Sequence, residues 1–257
     1  MAATSVSITT NLFYATEPVD GAQAYVEAEA RTNYGRDEKS VVIENVRGEE
    51  DSVSLDTTGF QFYKHTSKHT TFANDEEIRR EYYPESIELI KKLTGASRVE
   101  LFDHSKHLCL YIFLPSQISV LLALRRRRPR EPQNISGLRQ PASFVHVDQS
   151  SAGSIARVHR HLPASEVPDL LKRRFQIVNL WRPIANPAVD WPLALCDYRS
   201  VDVKKDIFPV ALIYPDRKGE TLAVKYNEEH KWKYLRGMTP EEIILIKWQV
   251  YHYLWFF

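Results

Sequence analysis

The sequence predicts a β-rich α+β protein, and three observations support this prediction. From about residue 144 onward, short runs of β-branched and aromatic residues recur every ten to fifteen residues. Pro, Asp and Gly separate these runs, a spacing typical of antiparallel sandwiches and barrels rather than of repeated βαβ units. The 13 tyrosines and 11 phenylalanines are spread along the chain, as in a β-rich core. We expect residues 1–257 to form a single domain.

Each predicted strand is a short apolar or aromatic run bounded by turn residues. The predicted strands lie within 37–65, 97–104, 143–150, 175–184, 192–201, 208–215 and 221–227. Within the first of these ranges, SVVIENV and SVSLDTTGFQFY are separate runs. This order predicts a sheet-forming chain with helices at its flanks.

Two segments carry helix signals. Residues 75–95 predict a helix that Asp75 would cap, Pro84 would split and Gly95 would end. A short helix is expected within 165–174, with Ser165 as its N-cap.

The final segment, MTPEEIILIKWQVYHYLWFF, gives conflicting signals. Thr239 and Glu242 have the spacing of a capping box, with Pro240 at the first helical position. The residues that follow are β-branched and aromatic, which favours a strand. An aromatic run at a chain end is also an aggregation hazard, and it marks this end as unusual.

An uncharged stretch interrupts the pattern. Residues 108–124 are seventeen consecutive uncharged residues, and Arg125–Arg128 follow them. A membrane-spanning helix needs about 20 apolar residues, and Pro115 to Gln117 break this stretch in the middle. We therefore expect no membrane span, although a membrane-tethered protein with a weak anchor at 108–124 is one alternative. Residues 125–140 predict a basic, solvated linker rather than a nucleic-acid site.

Charge and cysteine content narrow the class of protein. The net charge is +1, with 43% hydrophobic and 26% charged residues, which is ordinary for a globular protein. Cys109 and Cys196 are the two cysteines, and no CxxC spacing occurs. Two cysteines without this spacing argue against a disulfide framework and fit a protein of a reducing compartment. The first residues lack a secretory signal pattern, so we expect a cytoplasmic protein.

The sharpest chemical pattern is His146-Val147-Asp148 in a predicted strand. Residues two apart on a strand point to the same face, so an imidazole and a carboxylate converge there. A facial metal triad begins in this way, and a later histidine completes it. The alternative is a hydrogen-bonded surface pair, because His-x-Asp is common by chance.

Other candidates are weaker. His230 is the candidate third ligand within the chain, although a loop histidine among charged neighbours is the favoured alternative. His65 and His69 resemble a solvated loop. His159 and His161 resemble a polar turn, and Cys196 a small buried hydrophobe. The chain contains no GxSxG, P-loop or GxGxxG motif and no zinc-type spacing.

Several blocks together resemble a known family. These blocks are LDTTGFQF, DEEIRREYYPE, LTGASRVELFDH, RQPASFVHVDQS, VNLWRPI, PLALCDYRSVD, YNEEHKWKY and MTPEE. They resemble the fungal aspergillic-acid hydroxylase/desaturase family, which includes gibberellin desaturases and proteins related to cephem methoxylation. The resemblance implies an Fe(II)/2-oxoglutarate-dependent oxygenase that hydroxylates or desaturates a small secondary metabolite on a double-stranded β-helix (jelly roll).

The resemblance also assigns residues. It implies that His146 and Asp148 are the first two iron ligands, with no catalytic side chain beyond the metal site. Arg182, in the VNLWRPI block, is a candidate for binding an anionic group of the co-substrate, with a structural ion pair as its alternative. The oligomeric state is open.

The chain departs from the family pattern in two places. The family has no apolar stretch where residues 108–123 lie, and we interpret this segment as translated intron sequence. The similarity also stops near Lys247, before the strands that carry the distal histidine and the co-substrate arginine in the family. We therefore expect C-terminal strands to be missing and the chain as written to be inactive. A non-catalytic relative that acts as a binding module is a further alternative.

Overall fold

The computed structural model describes residues 6–27, 31–72, 74–102, 108–113, 117–122, 134–135, 138–139, 144–214 and 218–251. The strands in these ranges are β1 Ile8–Thr16, β2 Ala24–Glu27, β3 Gly35–Asn45, β4 Phe60–Lys64, β5 Arg98–Phe102, β6 Leu108–Phe113, β7 Gln117–Leu122, β8 Asn134–Ile135, β9 Leu138–Arg139, β10 His146–Val147, β11 Phe175–Trp181, β12 Ala194–Cys196, β13 Ile207–Ile213, β14 Lys218–Val224, β15 Trp232–Tyr234 and β16 Glu242–Tyr251. The α-helices are α1 Asp75–Glu77, α2 Tyr83–Thr94, α3 Ser151–His161, α4 Val167–Leu170 and α5 Val203–Asp206. The fold is β-rich with few helices, as the sequence predicts.

The chain divides into two compact units. The first comprises residues 1–49, 142–156 and 193–235, and the second comprises 50–141, 157–192 and 236–257. The first unit contains two four-stranded sheets, ordered β1-β3-β15-β12 and β10-β14-β13-β2.

The segment before and within β10 connects the two sheets of the first unit. Phe144 forms a parallel bridge with Phe13 of β1, and the Val145 N–H donates to the Phe13 carbonyl at 2.8 Å. Further along, His146 pairs with Ala223 of β14. One short stretch of backbone therefore pairs with both sheets.

An apolar cluster packs between these sheets. Tyr14, Ile43 and Trp232 come from the first sheet and Val224 from the second, and Val147 of β10 packs against them. Burial of apolar side chains is the dominant stabilising contribution. Val147, the middle residue of the His-x-Asp pattern, is therefore held in place by its packing against this cluster.

The second unit is built on a six-stranded sheet ordered β4-β16-β11-β6-β5-β7. Leu89 and Ile90 of α2 belong to one apolar cluster with Val178 of β11 and Ile243 and Leu245 of β16. Residues two apart on β16 share a face, which the helix covers. The central strand β11 is buried along nearly its whole length.

Two parts of the uncharged stretch, β6 and β7, lie in this sheet. β6 pairs with β5 and β11, and β7 pairs with β5 and β6. Among the residues that the structure describes, no helix is long and apolar enough to cross a membrane. The interpretation of residues 108–123 as intron sequence stays a prediction. Arg125–Arg128 and residues 252–257 lie outside the described ranges.

The predicted helix at 75–95 is present in three parts. Helix α1 passes into a π-helical turn at Ile78–Tyr82, and α2 follows with Pro84 in its first turn. Gly95 ends α2 with φ of +70°, a left-handed conformation that glycine adopts without steric cost.

Four details of the predicted secondary structure are wrong. SVSL is not a strand, because a 3-10 turn at Glu50–Ser52 and further turns occupy this region. Helix α3 was not expected, and His159 and His161 belong to it. The N-cap of α4 is Glu166 rather than Ser165. The N-cap of α1 is Asn74 rather than Asp75. The final segment, whose local signals conflict, forms strand β16, because it pairs with both β4 and β11.

Candidate metal centre

The structure places His146 and Asp148 side by side. Both lie on the face of the β10 segment opposite Val147, which packs into the apolar cluster. His146 Nε2 is 3.1 Å from Asp148 Oδ1. Their side chains are 35% and 24% exposed, so the pair is accessible from solvent without being fully solvated.

A backbone contact fixes the orientation of the imidazole. His146 Nδ1 is 2.6 Å from the carbonyl oxygen of Phe144, and a carbonyl only accepts, so Nδ1 carries the proton. In the neutral ring, Nε2 then presents its lone pair toward Asp148. Metal-binding histidines are oriented in this way, with the second nitrogen donating to a carbonyl or carboxylate.

The spacing of the pair fits one metal ion. Ligand bonds of about 2.1 Å at right angles put two neighbouring ligand atoms about 3 Å apart. The Nε2–Oδ1 distance of 3.1 Å matches this value. Imidazole nitrogen and carboxylate oxygen are also two of the ligand types in the facial triads that bind non-haem iron.

The residues after Asp148 end the strand and begin a helix. Ser150 Oγ accepts from the Gly153 N–H at 2.9 Å, and the Ser150 carbonyl accepts from the Ser154 N–H, so Ser150 caps α3. A Cβ on Gly153 would lie 3.1 Å from the Glu220 carbonyl oxygen of β14. The first turn of α3 therefore packs close to the sheet, and it fixes where Asp148 leaves the strand.

His230 also lies in the first unit, but it has a different partner. Its Nε2 is 3.0 Å from Asp206 Oδ2, and its ring stacks on Tyr14 at 5.8 Å between centroids. The imidazole is 2% exposed, and Nδ1 is buried without a hydrogen-bond partner. Sequence reasoning did not single out Asp206, because its neighbours Lys204 and Lys205 are typical of a solvent-exposed charged segment.

The structure thus brings two of the predicted ligands together. Within the ranges it describes, no group of three His, Cys, Asp or Glu side chains is arranged to hold a metal ion. His230 as the third ligand stays a prediction, and its contact with Asp206 does not support it.

Arg182 lies in the second unit and is 9% exposed. Its Nη2 donates to His65 Nδ1 at 2.9 Å, and its guanidinium lies over the Tyr82 ring at 5.6 Å. The expectation that His65 and His69 lie in a solvated loop is wrong. His69 is 6% exposed, and its Nδ1 is 3.1 Å from Glu81 Oε2.

Cys196 belongs to the edge of the apolar cluster of the first unit, as expected for a small hydrophobe. Burial raises the pKa of its thiol to about 11. At neutral pH the residue is therefore a thiol rather than a nucleophilic thiolate.

Comparison with known proteins identifies the family. A family model described as "Oxidoreductase/YMDC permease-like domain" matches residues 12–250. The chain is 31% identical over 258 residues to hydroxylase/desaturase efuI of Hormonema carpetanum, covering 95% of this chain and 83% of efuI. This chain belongs to the fungal hydroxylase/desaturase family.

A second relative carries the same description, and a solved structure shares the fold. Hydroxylase/desaturase CTB9 of Cercospora beticola is 34% identical over 219 residues, which are 81% of this chain and 64% of CTB9. The chain thus spans less than two thirds of the length of that relative. The iron and alpha-ketoglutarate-dependent endoperoxidase NvfI shares the fold, with a TM-score of 0.74 at 22% identity over 96% of this chain and 86% of NvfI.

Proposed function

We propose that the chain comes from an Fe(II)- and 2-oxoglutarate-dependent hydroxylase or desaturase that acts on a small molecule. The observation that carries the proposal is the His146–Asp148 pair, whose ligand atoms lie 3.1 Å apart on one strand face. The names of the relatives and of the structural neighbour support the same chemistry. We also propose the aspergillic-acid hydroxylase/desaturase group as the closer family.

The double-stranded β-helix is part of this proposal. Two four-stranded sheets pack around one apolar cluster in the first unit, and the segment at 144–147 pairs with both of them. In such an arrangement a ligand-bearing strand lies at the junction of two sheets, which supports a jelly roll.

His146 and Asp148 would hold the iron. Bound iron would supply the chemistry that removes hydrogen from an unactivated C–H bond, with molecular oxygen as the oxidant and 2-oxoglutarate as the co-substrate that is oxidised to succinate and carbon dioxide. The protein's own residues fix the orientation of these two side chains. The Phe144 carbonyl keeps the proton on Nδ1 of His146 and thus leaves Nε2 available as a ligand. Val147 anchors the strand from behind, and Thr221 Oγ1 donates to the Val147 carbonyl at 2.7 Å.

Anaerobic Fe(II) binding to the purified chain tests the pair directly. We expect His146→Ala and Asp148→Asn to lose the iron binding seen in the parent chain. His159→Ala replaces an exposed histidine of α3 and is the matched control. Equal iron binding in all four proteins would contradict the assignment of the pair.

Succinate release from 2-oxoglutarate, measured with the same proteins, tests activity separately from binding. Sequencing the transcript shows whether residues 108–123 and the C-terminus are those of the expressed protein. A transcript-confirmed chain that folds and binds no iron would favour a non-catalytic relative.

A further inference from the structure

Asp148 lies just beyond the end of the strand that carries His146. β10 pairs with β14 at His146↔Ala223 and Val147↔Leu222. The next position of this register would set Asp148 opposite Thr221, but the chain bends there and the strand ends at Val147. The imidazole is therefore carried by a paired strand residue, whereas the carboxylate is carried by the residue that follows the ladder.

Thr221 makes a side-chain contact at this point. Its hydroxyl donates to the Val147 carbonyl at 2.7 Å, a normal length for an O–H···O hydrogen bond. The Val147 carbonyl group and the nitrogen and Cα of Asp148 lie in one plane, because the peptide bond is rigid. A contact that holds this carbonyl therefore also holds the plane from which the Asp148 side chain projects.

Threonine at position 221 is suited to this role. Because it is branched at Cβ, its side chain adopts few rotamers, so the direction of the hydroxyl is well defined. Thr221 is partly buried in β14, where it pairs with the fully buried Val210 of β13. The hydroxyl is thus presented from the interior of a sheet rather than from a loop.

The backbone after Asp148 contacts the neighbouring residue of β14. A Cβ on Gly153 would lie 3.1 Å from the Glu220 carbonyl oxygen and 3.2 Å from Ser150 Oγ. Glycine permits this close approach of α3 to the strand. Consecutive residues of β14 therefore contact the chain on both sides of Asp148, at Val147 before it and at Gly153 after it.

The two candidate ligands depend on different parts of the chain. The His146 ring is oriented by the Phe144 carbonyl of its own segment, whereas the peptide group that precedes Asp148 is held from β14. A metal site needs its ligands within about 0.5 Å of the productive geometry. A change at Thr221 should therefore displace the carboxylate and leave the orientation of the imidazole intact.

We propose that Thr221 is a positioning residue of the candidate metal centre. Through the Val147 carbonyl, its hydroxyl holds the Asp148 carboxylate at metal-ligand distance from His146 Nε2. Thr221 itself contacts neither metal nor substrate in this role. The role rests on the proposed function, and it adds to the His-x-Asp pattern a residue that is 73 positions from Asp148 in the sequence.

Two variants separate the hydroxyl from the shape of the side chain. Thr221→Val keeps the shape and removes the hydroxyl, whereas Thr221→Ser keeps the hydroxyl. In an anaerobic Fe(II) titration of the full chain, we expect Thr221→Val to bind about tenfold more weakly, because loss of a residue that orients a metal ligand typically costs about 10- to 100-fold in affinity. Thr221→Ser should retain most of the affinity of the parent chain.

The chain offers a matched control in the second unit. Thr94 Oγ1 donates to the Ile90 carbonyl at the same distance of 2.7 Å, at the end of α2. Thr94→Val removes the same kind of hydrogen bond and should bind Fe(II) as the parent chain does. Equal weakening in the two valine variants would mean that the lost bond acts only through overall stability, and it would overturn the role of Thr221.

Amide hydrogen exchange without metal tests the same contact independently of iron binding. Exchange across residues 146–150 should be faster in Thr221→Val and unchanged in Thr221→Ser and Thr94→Val. Thr221→Ala also lacks the hydroxyl and replaces the valine variant if that protein does not fold.

Unchanged Fe(II) affinity or unchanged exchange in the folded variant without the hydroxyl would contradict the proposed role. If the parent chain binds no iron while the exchange changes as expected, the proposed function fails but the hold of Thr221 on Asp148 is supported.

Discussion

Two histidine–aspartate pairs with nearly equal N–O distances lie in the first unit. They differ in solvent exposure and in the other hydrogen-bond partners of the carboxylate. His146 Nε2 is 3.1 Å from Asp148 Oδ1, and His230 Nε2 is 3.0 Å from Asp206 Oδ2. The first pair is about one third and one quarter exposed. The second is almost completely buried, at 2% and 6% exposure of the side chains.

The surroundings of the two carboxylates explain what each pair can do. Asp206 also accepts from Asn227 Nδ2 at 3.1 Å and from the Asp202 N–H at 2.8 Å. These contacts occupy the oxygens that a metal would need. Asp148 stands on a strand face reachable by solvent, next to an imidazole with a fixed tautomer. A short His–Asp distance alone therefore does not identify a metal site.

The largest effect should come from removing Asp206. Asp206→Ala leaves the buried His230 imidazole and the part-buried donors of Asn227 and Asp202 without their acceptor. Breaking such a buried polar pair costs about 3–5 kcal/mol. Chemical denaturation measures the change in the free energy of unfolding. Asp148→Ala is the matched variant, and a change of more than about 1 kcal/mol there would erase the contrast between the pairs.

Iron binding should depend more on the His146–Asp148 pair than on the His230–Asp206 pair, the reverse of the order expected for stability. Asp148→Asn should weaken Fe(II) binding by more than about 100-fold, because replacing a partner of a ligand already costs about 10- to 100-fold. His230→Gln should weaken it much less if the protein folds. Anaerobic titration with circular dichroism as the folding control measures both. A larger loss in the folded His230 variant would reassign the third ligand to His230.

A smaller effect is expected at the residue that ends the ligand-bearing segment. Ser150→Ala removes the side-chain cap of α3 and should cost about 1 kcal/mol, within the usual range of about 0.5–2 kcal/mol. Ser165→Ala is the control, because Ser165 is exposed and does not cap α4. Equal unfolding midpoints for the two variants would show that the Ser150 cap contributes nothing.

The smallest effect concerns His65, which lies between the Arg182 guanidinium and the Glu85 carboxylate. Burial, followed by the charge of Arg182, lowers its pKa below 6.5, with Lys92 acting in the same direction and Glu85 in the opposite one. The folded protein then binds fewer protons than the unfolded chain just below pH 6.5, so stability falls as the pH drops through this window.

Melting temperatures of the parent chain and of His65→Gln between pH 7.5 and 5.5 isolate this effect. The parent chain should lose more stability than the variant over this range. Parallel curves would mean that His65 has the same pKa in the folded and unfolded states. Protonated His65 can no longer accept a hydrogen bond from Arg182.

Local patterns predicted much of the fold. Gly95 was expected to end a helix, and the sequence carried the signal because the left-handed conformation there suits glycine. The signal for α3 was also present, since Ser150 precedes it and Ile155 and Val158 have helical spacing. It was missed because the segment is otherwise polar.

Contacts between residues distant in sequence determined the structure where local patterns did not predict it. Glu242 does accept from the Thr239 N–H at 2.9 Å, as in a capping box, yet the chain continues as a strand. Pairing with β4 and β11 outweighs the local helix signal. The Asp206–His230 contact joins residues 24 positions apart, with strands β13 and β14 between them, so neither side chain alone indicates its partner.

The π-helical turn at Ile78–Tyr82 has a consequence for how the surroundings of Arg182 can change. Such a turn holds one residue more than an α-helical turn, and each residue rotates a helix by about 100°. Deleting a single residue between 78 and 82 would swing the Tyr82 phenol away from Arg182 and present another side chain in its place. A one-codon deletion could therefore re-specify the chemistry around the guanidinium without altering the arginine.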